Sequence, residues 1–350
     1  MNVIELPHKV LDYTCPVNGL EDQYEWKTGA RLPGYCLMDL ASIGFTYIKQ
    51  KNAPSPRMVF WGSGMGKPLF NFLADIIGYD LICSEDTSFS TAWKATLGNL
   101  NAGFPVMAGI LDMYHLHYYS KFYHRFHIPQ HYVLLVGYDE QNDAALVQDN
   151  GLPGIQTVPL TDLQAAWNVR VPGQGKPNTL FTFKFHHDIA DLETIWRKAL
   201  QKRASLFLSP PVGFMGLSGM RRVQKEISQW RDELSDPDWM ESLRSLATFT
   251  CSKVPNPPQA LLPYPLGYDD PHQACRDRFA AELADAAETY KMEGWLQAAD
   301  LFRQSGECIG RLTDLTVSAL KGNKDAFTGA AEEMRQTTNL EEAAFKLLAL

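Results

Sequence analysis

Three side chains in the first half of the chain have residue types that suit nucleophilic catalysis by sulfur. Cys36 directly precedes a helical pattern over residues 37–49. A thiol at a helix N-terminus lies among unpaired amides that favour a thiolate and can hold an oxyanion. His131 opens an apolar run, and Asp149 ends the next one. A histidine moves the proton in such chemistry, and an aspartate fixes the imidazole tautomer.

The two strands that must position His131 and Asp149 form a predicted β-hairpin. Residues 131–138 and 144–148 are continuous apolar runs, and the polar segment between them reads as a turn. The start of one hairpin strand lies beside the end of the other, so Asp149 is expected to reach the His131 ring. A helix-start cysteine, a strand-start histidine and a following strand-end aspartate are typical of papain-like cysteine enzymes. Taken singly, each has an ordinary alternative: a buried thiol, a satisfied strand-end histidine and a turn former.

The pattern along the chain changes after His187. Up to that point strands at 105–111 and 179–186 and short helices alternate. Beyond it, apolar residues recur at helical spacing, which predicts helices at 190–204, 219–234, 238–249, 273–291, 294–320 and 324–349. We therefore predict an α+β protein with a papain-like catalytic domain at 1–187 and an all-helical domain at 188–350.

Composition narrows the class of protein. The 350 residues are 45% hydrophobic with a net charge of −8, which favours a packed core and argues against a generally basic nucleic-acid binder. No apolar stretch approaches the roughly 18 residues of a membrane span, and the N-terminus does not read as a secretory signal. The 6 cysteines form no Cys-x-x-Cys pair, so we expect reduced thiols and a cytoplasmic location.

Two further motifs favour other chemistry. Gly62 to Lys67 resembles a phosphate-binding loop, but Pro68 stands where a magnesium-binding hydroxyl is needed. A glycine loop that lines a substrate channel and a plain structural turn both stay open. The histidines between 115 and 131 have spacings that suit zinc, although no cysteine lies nearby and the segment also reads as an aromatic-rich loop. We predict no metal site.

The order of several segments resembles the butirosin biosynthesis protein H family along both halves of the chain. The similar segments are Tyr35-Cys36, the glycine loop 60–66, residues 111–116, 131–139 and 147–149, and in the helical half 216–220 and 295–299.

That resemblance implies an acyltransferase of natural-product biosynthesis. An acyl or aminoacyl group would pass from a phosphopantetheine thioester on an acyl carrier protein, through a cysteine acyl-enzyme, to a small-molecule amine acceptor, with no further cofactor. Cys36 would be the nucleophile, His131 the general base and then acid, and Asp149 the orienting group. Substrate-binding roles would fall on Tyr35, Gly62, Ser63, Gly64, Met65, Asp112 and Tyr114.

The sequence leaves alternatives open. Papain-like enzymes usually place a glutamine upstream of the nucleophile as an oxyanion donor, and Ala30 occupies that position before Cys36. The same three residues suit a cysteine hydrolase, either thioesterase or peptidase, and a binding protein with an inactive triad is a third interpretation. The long amphipathic helices near the C-terminus permit a homodimer.

Overall fold

The chain folds as two compact units. The computed structural model describes residues 2–11, 15–33, 36–51, 55–62, 66–171, 175–248 and 274–350. The first unit comprises Met1–Met38 and Met65–Leu192, and the second comprises Asp39–Gly64 and Glu193–Leu350. A mixed α/β part followed by a helical part was predicted and is confirmed. The predicted boundaries differ from this division, because residues 39–64 pack with the second unit.

The strands of the described residues form one large sheet and one small one. They are β1 Asn2–Val3, β2 Thr46–Lys49, β3 Arg57–Phe60, β4 Tyr79–Ser84, β5 Val106–Leu111, β6 His131–Asp139, β7 Ala144–Gln148, β8 Ile155–Pro159 and β9 Leu180–Phe185. The large sheet has 7 strands, ordered β4-β9-β5-β6-β7-β8 with β1 paired to β6. All its neighbours are antiparallel, and β6 and β7 form the predicted hairpin with Leu134 opposite Gln148.

The helices are distributed over both units. They are α1 Cys15–Thr28, α2 Cys36–Ser42, α3 Lys67–Leu73, α4 Phe89–Asn101, α5 Leu160–Trp167, α6 Leu192–Leu208, α7 Gly216–Glu226, α8 Trp230–Glu233, α9 Asp236–Thr248, α10 Arg276–Tyr290, α11 Glu293–Leu320 and α12 Ala330–Leu348. In the part of the chain that the structure describes, no helix combines the length and the apolar character needed to cross a bilayer.

Helix α1 packs against the middle of the large sheet and is buried on nearly all sides. Gly19 permits this close approach, since a Cβ atom there would lie 2.4 Å from the Met107 side chain of β5. The buried carboxylates Glu21 and Asp22 lie on this helix, and the Arg31 guanidinium approaches both. Burial of these charges is tolerated because they are paired with a cation.

The hairpin β2–β3 belongs to the helical unit. It packs against α7 and α9, and the Tyr47 hydroxyl donates to Glu226 at 2.9 Å. The sequence pattern predicted a helix over residues 37–49, whereas α2 ends at Ser42 and a strand follows. A strand forms here in place of a helix because Phe45, Tyr47 and Val59 are all buried. Side chains alternate between the two faces of a hairpin, so apolar residues can be buried on one face.

Candidate active site

His131 and Asp149 meet at one end of the β6–β7 hairpin, as their predicted positions require. Nε2 of His131 lies 2.7 Å from Oδ2 of Asp149. The side chains are 7% and 0% exposed, respectively, so water does not compete strongly for this pair. With Nε2 engaged by the carboxylate, Nδ1 is the ring nitrogen left to exchange a proton with a nucleophile.

Asp149 receives donors from three further groups. The Tyr118 hydroxyl donates to Oδ2 at 2.9 Å, the Tyr119 hydroxyl donates to Oδ1 at 2.6 Å, and the Gly151 amide donates to Oδ1 at 3.3 Å. The Tyr119 ring also meets the His131 ring edge to face at 5.5 Å. Donors on both oxygens hold the carboxylate in one orientation and therefore hold the imidazole that it contacts.

The thiol beside His131 belongs to Cys15, the first residue of α1. It lies close enough to the His131 ring to raise the pKa of that imidazole, and its Sγ lies 3.8 Å from the carbonyl oxygen of Gln130. Cys15 is half-buried, whereas His131 is almost fully buried. The positive end of the α1 dipole lies at this sulfur, which favours negative charge there.

Electrostatics at the pair favours the ionised forms. Burial lowers the pKa of His131, but the Asp149 charge and the Cys15 contact outweigh it and raise that pKa from 6.5 to about 10. Burial raises the pKa of Asp149, but the His131 charge and the two tyrosine donors outweigh it, so the net direction is down. Both shifts indicate an imidazolium–carboxylate pair at neutral pH.

Cys36 was predicted to be the nucleophile, and this stays a prediction. It begins α2 as expected, but its side chain is fully buried. A nucleophilic thiol needs access to its substrate, and the Cys36 side chain is 0% exposed. The thiol that acts on the pKa of His131 is that of Cys15, which makes Cys15 a second candidate for the nucleophile.

Tyr35 and three residues of the predicted glycine loop lie outside the described residues. The three loop residues outside the described ranges are Ser63, Gly64 and Met65, while Gly62 is described and buried. Gly66 ends the loop with φ of 63° and precedes α3. A Cβ atom at Gly66 would lie 2.3 Å from the Tyr132 hydroxyl oxygen, so glycine is required for packing there.

Asp112 and Tyr114 were predicted to contact the acceptor, and both are engaged within their own loop. Asp112 accepts from the backbone amides of Tyr114 and Ile128, and it lies 2.6 Å from Nδ1 of His127. The Tyr114 ring stacks on the His127 ring at 4.1 Å. These contacts order the segment from 112 to 128, so we interpret Asp112 as a residue that stabilises this loop.

The histidine-rich segment uses its rings in stacking. His124 stacks on Tyr123 at 4.0 Å, and His127 stacks on Tyr114. Within the described ranges, no three His, Cys, Asp or Glu side chains converge in a way that would hold a metal ion.

Sequence reasoning missed Cys15, Tyr118 and Tyr119 as members of this site. One signal for Cys15 was present: Pro16 follows it, and proline is favoured in the first turn of a helix. The helical periodicity that would have supported it is weak, because α1 is buried on nearly all sides and carries polar residues.

The fold and the site together define a mixed α/β unit whose sheet and buried helix bring a thiol, an imidazole and a carboxylate into contact. Residues 17–150 match the family model described as butirosin biosynthesis protein H, N-terminal, so this region is similar to that family. Residues 161–251 match a domain of unknown function. No curated protein matches the chain.

Proposed function

We propose that this protein is a biosynthetic acyltransferase that works through an acyl-enzyme on Cys15. An acyl or aminoacyl group passes from the phosphopantetheine thioester of an acyl carrier protein to the sulfur, and then to a small-molecule amine. The match of residues 17–150 to the butirosin biosynthesis protein H family model supports a biosynthetic enzyme and natural-product biosynthesis as its setting. The observation that carries the proposal is the hydrogen bond of His131 with Asp149, together with the placement of the Cys15 thiol at the adjoining Gln130 carbonyl, where it raises the pKa of His131.

The arrangement supports a papain-like mechanism. A buried helix that starts with the cysteine packs on an antiparallel sheet, whose strand β6 starts with the histidine. Asp149 follows β7 directly, so the chain order is cysteine, histidine, aspartate. The same three roles recur on unrelated folds because the geometry, and not the sequence position, sets the chemistry.

The first step transfers the acyl group to the enzyme. The Cys15 thiolate attacks the thioester carbonyl, a new carbon–sulfur bond forms, and the bond to the carrier sulfur breaks. The His131 imidazolium gives its proton to the departing carrier thiolate. Backbone amides in the first turn of α1 are candidate donors to the oxyanion, since helix starts leave such amides unpaired.

The second step forms the amide. The amine attacks the Cys15 thioester, His131 takes one proton from the nitrogen, and the Cys15 sulfur departs as a thiolate. The thioester supplies the driving force, so the reaction needs no nucleotide. Asp149 keeps the His131 ring in the orientation that both proton transfers require.

Intact-protein mass spectrometry tests the proposal. The wild-type protein is exposed to acyl thioesters of N-acetylcysteamine and of phosphopantetheinylated carrier protein, with Cys15→Ala as the control. We expect one acyl adduct on the wild type, none on the variant, and loss of the adduct with amide formation when an amine is added. An equal adduct on both proteins would contradict the assignment of Cys15.

The same experiment separates transfer from hydrolysis. Loss of the adduct to water at the same rate with and without amines would identify a cysteine hydrolase and overturn the transferase proposal. A transferase must exclude water from the acyl-enzyme, so its adduct persists until an amine arrives.

A further inference from the structure

His8 lies in the segment that precedes α1, and its ring contacts three acceptor atoms. Nδ1 lies 2.7 Å from Oδ2 of Asp22, and Nε2 lies 3.1 Å and 3.0 Å from the carbonyl oxygens of Asp149 and Leu152. The side chain is only 7% exposed, so these contacts are its main partners in place of water.

The chemistry of these partners fixes the protons of the ring. Backbone carbonyls only accept hydrogen bonds, so Nε2 must carry a proton. Nη1 and Nη2 of Arg31 both donate to Oδ1 of Asp22 at 3.1 Å, so Asp22 is the carboxylate of an ion pair with a guanidinium and accepts a hydrogen bond at Oδ2 as well. Nδ1 must then carry a proton as well, and a ring with two protonated nitrogens is an imidazolium.

The His8 ring connects the two elements that carry the reacting groups. Asp22 is on α1, whose first residue is Cys15, and the Asp149 carbonyl belongs to the residue that orients His131. Other contacts of the same segment point the same way: the Asn150 side-chain amide donates to the Leu11 carbonyl, and the Asn18 side-chain amide donates to the Lys9 carbonyl.

We propose that His8 is a positioning residue that, as an imidazolium, ties α1 to the Asp149 turn and so holds Cys15 in register with His131. This inference rests on the proposed function of the Cys15 site. It adds a residue that touches neither substrate nor the reacting atoms and that acts through the placement of both partners.

The charges around His8 determine the sign of its pH dependence. Helix α1 supplies Asp22 together with Glu21 and Glu25, Arg31 follows that helix, and the turn supplies the Asp149 carboxylate that pairs with His131. Burial lowers the pKa of His8, but the Asp22 bond and charge and the two carbonyls outweigh it and raise that pKa. The tie is therefore present at low and neutral pH and is lost as pH rises through the folded-state pKa.

Nitrogen NMR of ¹⁵N-histidine-labelled full-length protein tests the charge directly. The His8 ring signals are assigned from their absence in His8→Gln. We expect both ring nitrogens to be protonated at pH 7, and Asp22→Asn to remove one of the two protons. A single protonated ring nitrogen in the wild type at pH 7 would overturn the inference.

Alkylation kinetics test the positioning role. The rate of Cys15 modification by iodoacetamide is followed by peptide mass spectrometry between pH 6 and pH 10 in the wild type, His8→Gln and Asp22→Asn. The matched controls are His187→Gln and Asp188→Asn, whose side chains are fully exposed. We expect both test variants to react about 5- to 20-fold more slowly at pH 7, on the scale of one lost charged contact, and both controls to match the wild type.

The pH profile separates positioning from a general loss of structure. The ratio of wild-type to His8→Gln rates should approach one at the basic end, because the wild type then loses the same charge. A ratio that stays constant across pH would overturn the positioning role. If Cys15 of the wild type reacts no faster than Cys83, the proposed function fails instead, and the role of His8 fails with it.

Discussion

Helices α1 and α2 both begin with a cysteine, and the difference between the two helix starts lies in what surrounds the sulfur. The Cys15 thiol is half-buried and raises the pKa of a histidine that is itself held by a carboxylate. The Cys36 thiol is fully enclosed by the protein. A helix N-terminus therefore favours a thiolate only as a local condition, and access and a base decide whether the sulfur does chemistry.

The largest effect expected from this comparison is the split between Cys15→Ala and Cys36→Ala. We expect Cys15→Ala to lower the steady-state rate of amide formation by about 10³-fold or more, because the covalent path is lost. Cys36→Ala should keep the rate within about 3-fold and cost about 1 kcal/mol of stability through a small cavity. The measurements are product formation by chromatography and urea denaturation; the reverse ranking would restore Cys36 as the nucleophile.

The second effect tests whether the His131–Asp149 pair is the feature that distinguishes Cys15 from Cys36. Asp149→Asn keeps the shape of the side chain but removes the charge that holds the His131 imidazolium. We expect the turnover rate of acyl transfer to fall by about 10²- to 10⁴-fold. Asp139→Asn, at the other end of β6, is the matched control and should leave the rate unchanged. Equal effects of the two substitutions would argue against a catalytic pair.

A smaller effect is expected from the tyrosine that holds Asp149. Tyr119→Phe removes the donor at 2.6 Å and leaves the ring in place against His131. We expect a loss of about 1 kcal/mol, which corresponds to a rate lowered by roughly 5-fold. Tyr123→Phe makes the same chemical change in the same loop and should have no effect on the rate of acyl transfer. A rate unchanged in Tyr119→Phe would show that this hydrogen bond does not support Asp149.

The smallest effect is on stability as a function of pH. His131 has a raised folded-state pKa, so its contribution is complete below the reference value of 6.5 and is lost as pH rises through about 10. We expect the thermal midpoint of the wild type to fall over this window and that of Asp149→Asn to fall less. Calorimetry between pH 6 and pH 10 measures both slopes, and parallel slopes would mean that the pair is not coupled to folding.

The sequence allowed part of this site to be predicted for identifiable reasons. Strands β6 and β7 are continuous apolar runs joined by a short polar turn, so the hairpin and the meeting of His131 with Asp149 followed from local pattern. Most helices of the second unit were also predictable, because one face is apolar and the other is polar. In these elements, the pattern of polar and apolar residues matches the pattern of exposed and buried positions.

In helix α1, the pattern of polar and apolar residues does not match the pattern of burial. Polar residues on it, such as Glu21 and Asp22, are buried because His8 and Arg31 supply counter-charges from outside the helix. Its pattern therefore lacks an apolar face, and the helix start at Cys15 went unrecognised. The contacts of Tyr118 and Tyr119 with Asp149 likewise depend on a loop path that no local pattern specifies.

The second unit is assembled from two separated stretches of chain, and this has a consequence for the order of synthesis. The β2–β3 hairpin is synthesised before the segment Met65–Leu192, and the helices α7 and α9 that cover the hairpin are synthesised after that segment. Tyr47 and Val59 are buried in the folded protein, and they lack their packing partners until α7 and α9 have been synthesised. A nascent chain stalled near residue 190 would therefore expose the apolar face of this hairpin, and we expect chaperone binding to be strongest at that chain length.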